Sequence, residues 1–376
     1  MRIKRFSALH LIILLPVTML LTAGVLLAVF YGIFGKEGLS LLEGLYLVNS
    51  RFVGEYDQTQ VVDSALSGMV DGLGDRWSYY LTEEEYAAQN QRRTNQYVGI
   101  GVTVNYESEE GLTIVEVTAG GPAEAAGLQS GEVITMVDGF SLAGENRYEG
   151  SEHIQGEEGT TVTLEVLGTD GQTRTVEVTR ASLDSDPVTA KMLEGNVGYV
   201  ALANFYDHSA ERLEEEVTKL QEDGAVALVF DMRNNGGGYL SQLTEMLDFL
   251  LPEGPIFISR DRAGNEEITQ SDAACVDLPM AVLVNADTYS AAEFFAAELQ
   301  EQGVAVIVGE PTSGKGYSQH TFALPHGGAM AISTGAYFTG SGTSLIGTGL
   351  TLDAEVYLTG EGDAQLEAAL DLLAQN

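Results

Sequence analysis

The chain of 376 residues is long enough for two or three domains with separate cores, and 44 % hydrophobic content excludes a disordered protein. With 18 basic against 55 acidic residues and a net charge of −37, it lacks the cationic surface that nucleic-acid binding requires. The acidity reads as a solvated, self-repelling surface, and the single cysteine, Cys275, excludes an intramolecular disulfide.

Phe6 to Gly35 carries no charged residue, behind the basic Arg2, Lys4 and Arg5. A bilayer core of roughly 30 Å needs about 20 helical residues, so this run can span one. Thr22-Ala23-Gly24 is a poor signal-peptidase site and the apolar run continues past it. The expectation is a cytoplasmic stub and uncleaved signal anchor over 1–36. The chain is then a single-pass protein of the cell membrane with its bulk outside the cytoplasm.

Over 37–96, apolar residues recur at helical spacing: Leu41, Leu42, Leu45 and Val48, then Val62, Leu66, Met69, Val70 and Leu73. This predicts a helical N-terminal region ending in Asp75-Arg76-Trp77-Ser78-Tyr79-Tyr80-Leu81. From 97 to 180 the period changes. Val98–Val104, Leu112–Val117, Val133–Val137 and the strictly alternating Thr160–Val166 read as strands. Between them, Pro122–Ala126 is a short helix bracketed by glycines. The segment is a compact, mainly-β module.

From 181 to 376, strands and helices alternate and predict an α/β domain. Ala225–Phe230, Met280–Val284 and Val304–Val308 are continuous apolar runs, as in strands buried on both faces. Cys275, among Ala273, Ala274 and Val276, reads as part of a buried strand approach. Three loops follow buried strands: Arg233-Asn234-Asn235-Gly236-Gly237-Gly238, the turn at Ser290, and Gly314-Lys315-Gly316. Open α/β sheets place their sites at such loops.

A serine between a strand end and a helix start suits a nucleophile, because the helix N-terminus favours developing negative charge. A plain helix N-cap is the competing reading. Of the histidines, His10 lies in the anchor, His153 in the β module and His208 before a surface helix, and no acid flanks His320 or His326 to orient a ring as in a Ser–His site. Lys315, between glycines and without a nearby carboxylate in sequence, is the better base, since apolar burial favours the neutral amine. Gln319 stands four residues on, where it can hydrogen-bond that amine. Gly237 and Ala291 are the candidate backbone donors to an oxyanion. Gly309-Glu310-Pro311-Thr312-Ser313-Gly314-Lys315-Gly316 approaches a phosphate-binding loop. It lacks the Ser/Thr after the lysine and runs into an alternating, strand-like segment.

In this order, these residues resemble the C-terminal processing peptidases, or tail-specific proteases, over nearly all of the chain after the anchor. The family's Ser-Ala-Ser-Ala-Ser-Glu corresponds to Thr288-Tyr289-Ser290-Ala291-Ala292-Glu293, with the nucleophile at Ser290. Its lysine and glutamine correspond to Lys315 and Gln319. Its Arg-Asn-Asn-Pro-Gly-Gly loop corresponds to Arg233–Gly238, and its Gly-Ile-Thr-Pro-Asp close to Gly349–Asp353. Departures are Thr288 and Ala292 for serines, Tyr289 beside the nucleophile, Gly236 for proline and Ser313 for phenylalanine.

The resemblance implies a ClpP/crotonase-like catalytic domain over 181–376 with a C-terminal cap, and an inserted PDZ domain over 97–180. It implies a carboxylate-binding loop at Gly99, Ile100, Gly101 and Val102. It also implies a serine endopeptidase acting on protein or peptide substrates with free C-termini, with no cofactor or metal, and it admits a homo-oligomer. The contrasting reading is a membrane-bound PDZ adaptor whose peptidase no longer turns over.

Overall fold

A computed structural model describes residues 8–360 and 362–375. It divides into two compact units, residues 1–62 and 63–376. In the first, a helix runs Ala8–Arg51, with Pro16 inside it and a break at Gly35, where φ is 63°. Its stretch from Leu14 is long and apolar enough to cross a membrane, and none of it is buried. Arg2, Lys4 and Arg5 lie outside the described residues.

The second unit begins with the end of the helix Gln58–Asp71, then the strand Tyr79–Leu81 and the helix Glu83–Arg93. The strand departs from the expected helical region. Two tyrosines favour extended backbone, and Tyr79, Tyr80 and Leu81 pair antiparallel with Ala331, Met330 and Ala329. The 97–180 segment forms an antiparallel sheet ordered Val102–Asn105, Leu112–Val117, Val133–Val137, Thr161–Leu167, Thr173–Thr179. The alternation read in Thr160–Val166 is met: Val162, Leu164 and Val166 point into a core with Ile100, Leu112, Ile114 and Ile134.

The α/β part is built on a sheet ordered Val188–Leu193, Val197–Leu202, Ala227–Asp231, Met280–Val284, Ala305–Gly309, Ala354–Glu355. All neighbours are parallel except the first pair. Alternate residues of each apolar run serve opposite faces. Leu228 and Phe230 join Phe205, Leu213, Phe294 and Phe295 on one side. Ala227 and Val229 join Ala281, Leu283 and Leu373 on the other. This double burial is why these strands lack polar alternation. A second, antiparallel sheet holds Gly254–Asp261, Glu266–Ser271, Tyr317–Ala323 and Ala329–Phe338. Tyr317–Ala323 follows Lys315 as a strand, which removes the helix a phosphate-binding loop requires. Cys275 is exposed in a loop, and Val276 takes the buried position instead.

The carboxyl end of Ala227–Asp231 is tied to the chain's last helix, Ala364–Leu373. Asp231 accepts from the Tyr199 hydroxyl at 2.6 Å and from Arg233 Nε at 2.9 Å. Arg233 also donates to both carboxylate oxygens of Asp363, at 2.9 and 2.8 Å, and to Gln365. The Arg233 and Asp231 side chains are 13 % and 10 % exposed, so removing one partner strands a desolvated charge. Arg233→Ala should cost about 3 kcal/mol or more of stability. The measure is a lower denaturant midpoint at constant slope; an unchanged midpoint would mean the cluster is solvated.

Candidate active site

Three loops at the carboxyl ends of the parallel strands meet in a cleft of about 550 Å³, lined among others by Trp77, Gly236, Gly238, Ser290, Ala291 and Lys315. Ser290 sits at the start of the helix Ala291–Glu301 with φ 60° and ψ −125°. Side-chain-bearing residues rarely adopt such a backbone, and it persists only where its surroundings enforce it. Here they do. The buried Thr288 hydroxyl donates to Met232 O at 2.8 Å, and Tyr289 N donates to Asn235 O at 3.2 Å. Asn285 accepts from Asn234 N at 2.9 Å and returns a bond to Asn234 Oδ1 at 2.8 Å. The Ser290 turn is thereby stitched to the glycine loop. Ser290 makes no side-chain capping bond, so the plain N-cap reading leaves its hydroxyl unexplained.

Lys315 reaches the same cleft from the loop after Ala305–Gly309. Among the described residues its amine makes no hydrogen bond; its neighbours are aromatic rings, with Nζ 4.9 Å from the Trp77 centroid and 5.9 Å from that of Tyr289. Burial pushes its pKa down to about 8, against weaker upward pulls from Asp75 and Glu293. The Lys315 backbone is fixed by Glu293, which is fully buried on the helix Ala291–Glu301. Glu293 accepts from Gly314 N at 2.7 Å, from Lys315 N at 3.0 Å and from the Thr312 hydroxyl. The Tyr337 hydroxyl donates to Lys315 O and neighbours Ser290.

Gln319 lines the cleft, but its amide NH₂ donates to Tyr317 O at 2.8 Å and Ser333 Oγ at 3.1 Å rather than meeting the lysine. Ala291 lies at the cleft as the first helical residue, where the N–H has no partner within the helix. Gly237 is different. Its N–H is taken at 2.8 Å by the buried Asn235 side chain, which also holds Leu202 O. The glycines that line the cleft are Gly236 and Gly238. Gly237 instead allows close approach: a Cβ there would lie 2.7 Å from Ala291 N. His320 lines the cleft but is exposed and packs on Phe322. His326 is bound to the Tyr80 hydroxyl at 2.7 Å, beside Asp63. Gly99, Ile100, Gly101 and Val102 line a separate groove of about 60 Å³ with Tyr97, Val104 and Ile154.

Residues 196–356 match peptidase family S41, and residues 97–179 match the PDZ domain family. The carboxyl-terminal-processing protease of Picosynechococcus sp. is 33 % identical over 326 residues, covering 83 % of this chain and 79 % of that one. This chain belongs to the S41 peptidases. A second carboxyl-terminal-processing protease, from Synechocystis sp., is 31 % identical over 82 % of this chain and 76 % of its own. Among solved structures, a photosystem II D1 C-terminal processing protease is similar at 28 % identity. Its TM-score is 0.50, covering 86 % of this chain and 88 % of that one. An S41 protease from Bacteroides fragilis shares the fold at TM-score 0.56 and 20 % identity, over 86 % and 92 % of the two chains. The protein is therefore a serine peptidase of the carboxyl-terminal-processing group with a PDZ domain.

Several residues that build the cleft escape sequence reasoning. Ser290 and Glu293 stand three apart, as in a capping box, yet the Glu293 carboxylate serves the lysine loop. Trp77 gave no periodic signal and comes from 238 positions before Lys315, as their numbers in the chain show. Thr288 keeps the hydroxyl that a serine would supply, which explains one departure from the family pattern. Glu293→Gln would turn a nitrogen donor toward backbone donors, costing about 1–3 kcal/mol. A lower melting temperature and at least a tenfold lower kcat are expected, read by thermal unfolding and peptide turnover. Wild-type values for both would show that the latch does not position Lys315.

Proposed function

We propose that this peptidase is a membrane-anchored endopeptidase that captures protein C-termini on its PDZ domain and cleaves with Ser290 as nucleophile and Lys315 as general base. The observation that carries the reading is one cleft containing a serine on an enforced, non-capping turn and a desolvated lysine free of carboxylate hydrogen bonds. In this scheme the neutral amine takes the Ser290 Oγ proton as the oxygen attacks the scissile carbonyl. The oxyanion is met by Ala291 N–H and a donor of the glycine loop, with Gly236 or Gly238 replacing Gly237 in that role. Lys315 then returns its proton to the departing amine, and a water repeats the sequence on the acyl-enzyme. Gln319 acts through the strand that follows Lys315 and through Ser333.

The same reading assigns residues 1–36 to a stub and anchor, 37–96 to a helical region, 97–180 to the PDZ domain and 181–376 to a ClpP/crotonase-like catalytic domain with its cap. The apolar N-terminal helix supports the anchor, and the basic residues before it support a cytoplasmic N-terminus. The Gly99–Val102 groove supports capture of an apolar C-terminal residue in the manner of β-strand addition.

Labelling with a fluorophosphonate probe and casein digestion test the mechanism. Ser290→Ala and Lys315→Ala should each lower turnover by about a thousandfold or more. Lys315→Arg should fail equally, because a guanidinium stays protonated. Persistent cleavage by Lys315→Ala would discard the dyad. Since the amine is the active form, activity should be low below the Lys315 pKa and rise through about pH 8. A rise centred near pH 6.5 would indicate a histidine instead.

The PDZ assignment has its own test. A peptide with a free apolar C-terminus should bind the protein more tightly than its C-terminal amide, measured by fluorescence anisotropy. Equal affinities would remove the carboxylate-capture role.

A further inference from the structure

Lys315 is boxed by two rings, Trp77 and Tyr289, the second standing where the family pattern has alanine. Nζ lies 4.9 Å from the Trp77 centroid and 5.9 Å from that of Tyr289, and the rings are 6.0 Å apart. An ammonium within about 6 Å of an aromatic centroid is attracted by the ring's quadrupole. Both rings are held from behind. Trp77 N donates to Asp75 Oδ1 at 3.1 Å, and the Ser78 hydroxyl donates to the same carboxylate at 2.6 Å. The Arg76 guanidinium stacks 4.1 Å from the indole and donates to Ser313 O at 3.2 Å, two residues before Lys315. Tyr289 directly precedes the nucleophile. A Cβ at Gly236 would lie 2.5 Å from the Tyr289 hydroxyl oxygen and 2.7 Å from Cζ.

We propose that Trp77 and Tyr289 are positioning residues that hold the Lys315 amine beside Ser290, and that Gly236 is a glycine because the Tyr289 ring occupies the space of its side chain. The proposal rests on the Ser–Lys reading. It accounts for two departures from the family pattern as one coupled change. The proline expected at 236 gives way to glycine where a tyrosine enters at 289.

The chemistry favours such walls. Lys315 must accept a proton from Ser290 and give it back within each cycle, so neither form of the amine can be trapped. A carboxylate bonded to Nζ would hold it as ammonium, and an aliphatic wall would disfavour the ammonium it must become. Rings exclude water, which favours the amine, while their faces still attract the cation. The charged and titratable groups around the amine fit this balance. Asp75 and Glu293 attract the ammonium and Arg93 repels it, while Arg76, His320 and the phenols of Tyr79, Tyr206, Tyr239, Tyr289 and Tyr337 also line the cleft. Both acids are engaged elsewhere, Asp75 by Trp77 N and Ser78, Glu293 by the Lys315 loop.

The test is kcat/KM against pH for the full-length protein, with a peptide substrate, in wild type and ring variants. Trp77→Leu keeps the wall apolar but removes its π face. The acidic limb should move down by about half a pH unit, and kcat should fall about tenfold as the amine loses its seat. Trp77→Phe restores a face and should return both toward wild type. Tyr289→Leu, on the more distant ring, should shift the limb the same way by less, and serves if Trp77→Leu does not fold. Gly236→Ala should lose at least tenfold in kcat/KM, and Gly236→Ala with Tyr289→Ala should recover to the level of Tyr289→Ala alone. A wild-type limb and kcat in both leucine variants would overturn the positioning role, and a fully active Gly236→Ala would overturn the coupling. Lys315→Ala separates the layers. If it cleaves, the Ser–Lys reading has failed; if it is dead while the leucine variants are normal, the ring clamp alone has failed.

Discussion

The site depends on one buried carboxylate. Glu293 lies a single helical turn from Ser290 and takes the backbone N–H groups of Gly314 and Lys315 together with the Thr312 hydroxyl. The loop that carries Lys315 is thereby held to the helix that Ser290 starts. The lysine loop is also held by the Tyr337 hydroxyl on Lys315 O and by Gly347 N on Gly314 O, but those bonds come from other segments. Through Glu293, the lysine backbone is indexed to the helix that Ser290 starts, and only the side chain remains to be placed. The same helix is buried along nearly its whole length, with Phe294 and Phe295 packed among Phe205, Phe230, Phe257 and Tyr337. Core packing and the geometry of the cleft are thus properties of one element.

The second constraint is the sheet. Ala227–Asp231, Met280–Val284 and Ala305–Gly309 run parallel in register, Asp231 beside Leu283 and Val284 beside Gly309. Their following loops must therefore emerge at one edge. Asparagines then do the fine work. Asn234 and Asn285 bond reciprocally across two loops, and Asn235 supports Gly237 and Leu202 from beneath. The unusual backbone of Ser290 persists because residues on both sides of it are fixed to other loops, Thr288 and Tyr289 to Met232 and Asn235, Glu293 to Gly314 and Lys315.

Much of this was legible in the sequence, for physical reasons. A strand buried on both faces has to be continuously apolar, so the three central strands, and the loops after them, announce themselves. Thr161–Leu167 shows the opposite signature, because one of its faces is less buried. A lysine between glycines at such a loop has few structural uses, which drew attention to Lys315. What was hidden depends on contacts between distant segments. Tyr79–Leu81 follows a helical pattern and is a strand only because Ala329–Ala331 accepts it. Gly237 looks like an oxyanion donor until the Asn235 side chain is seen to occupy its N–H. Cys275 sits in an apolar run yet lies outside the sheet. Gln319 has the spacing to meet Lys315, but its strand turns the amide toward Ser333. Trp77 has no local pattern at all, since its role arises from the cleft it closes.

Whether Lys315 is desolvated enough to act as a base is read directly by a ¹³C NMR titration of the protein carrying ¹³C-labelled lysine, with Lys315 assigned by its absence from a variant spectrum. Its resonance should titrate with a midpoint near pH 8, apart from the other lysines. Titration with the bulk, near the ordinary value of about 10.4, would show a solvated amine unable to serve as the base.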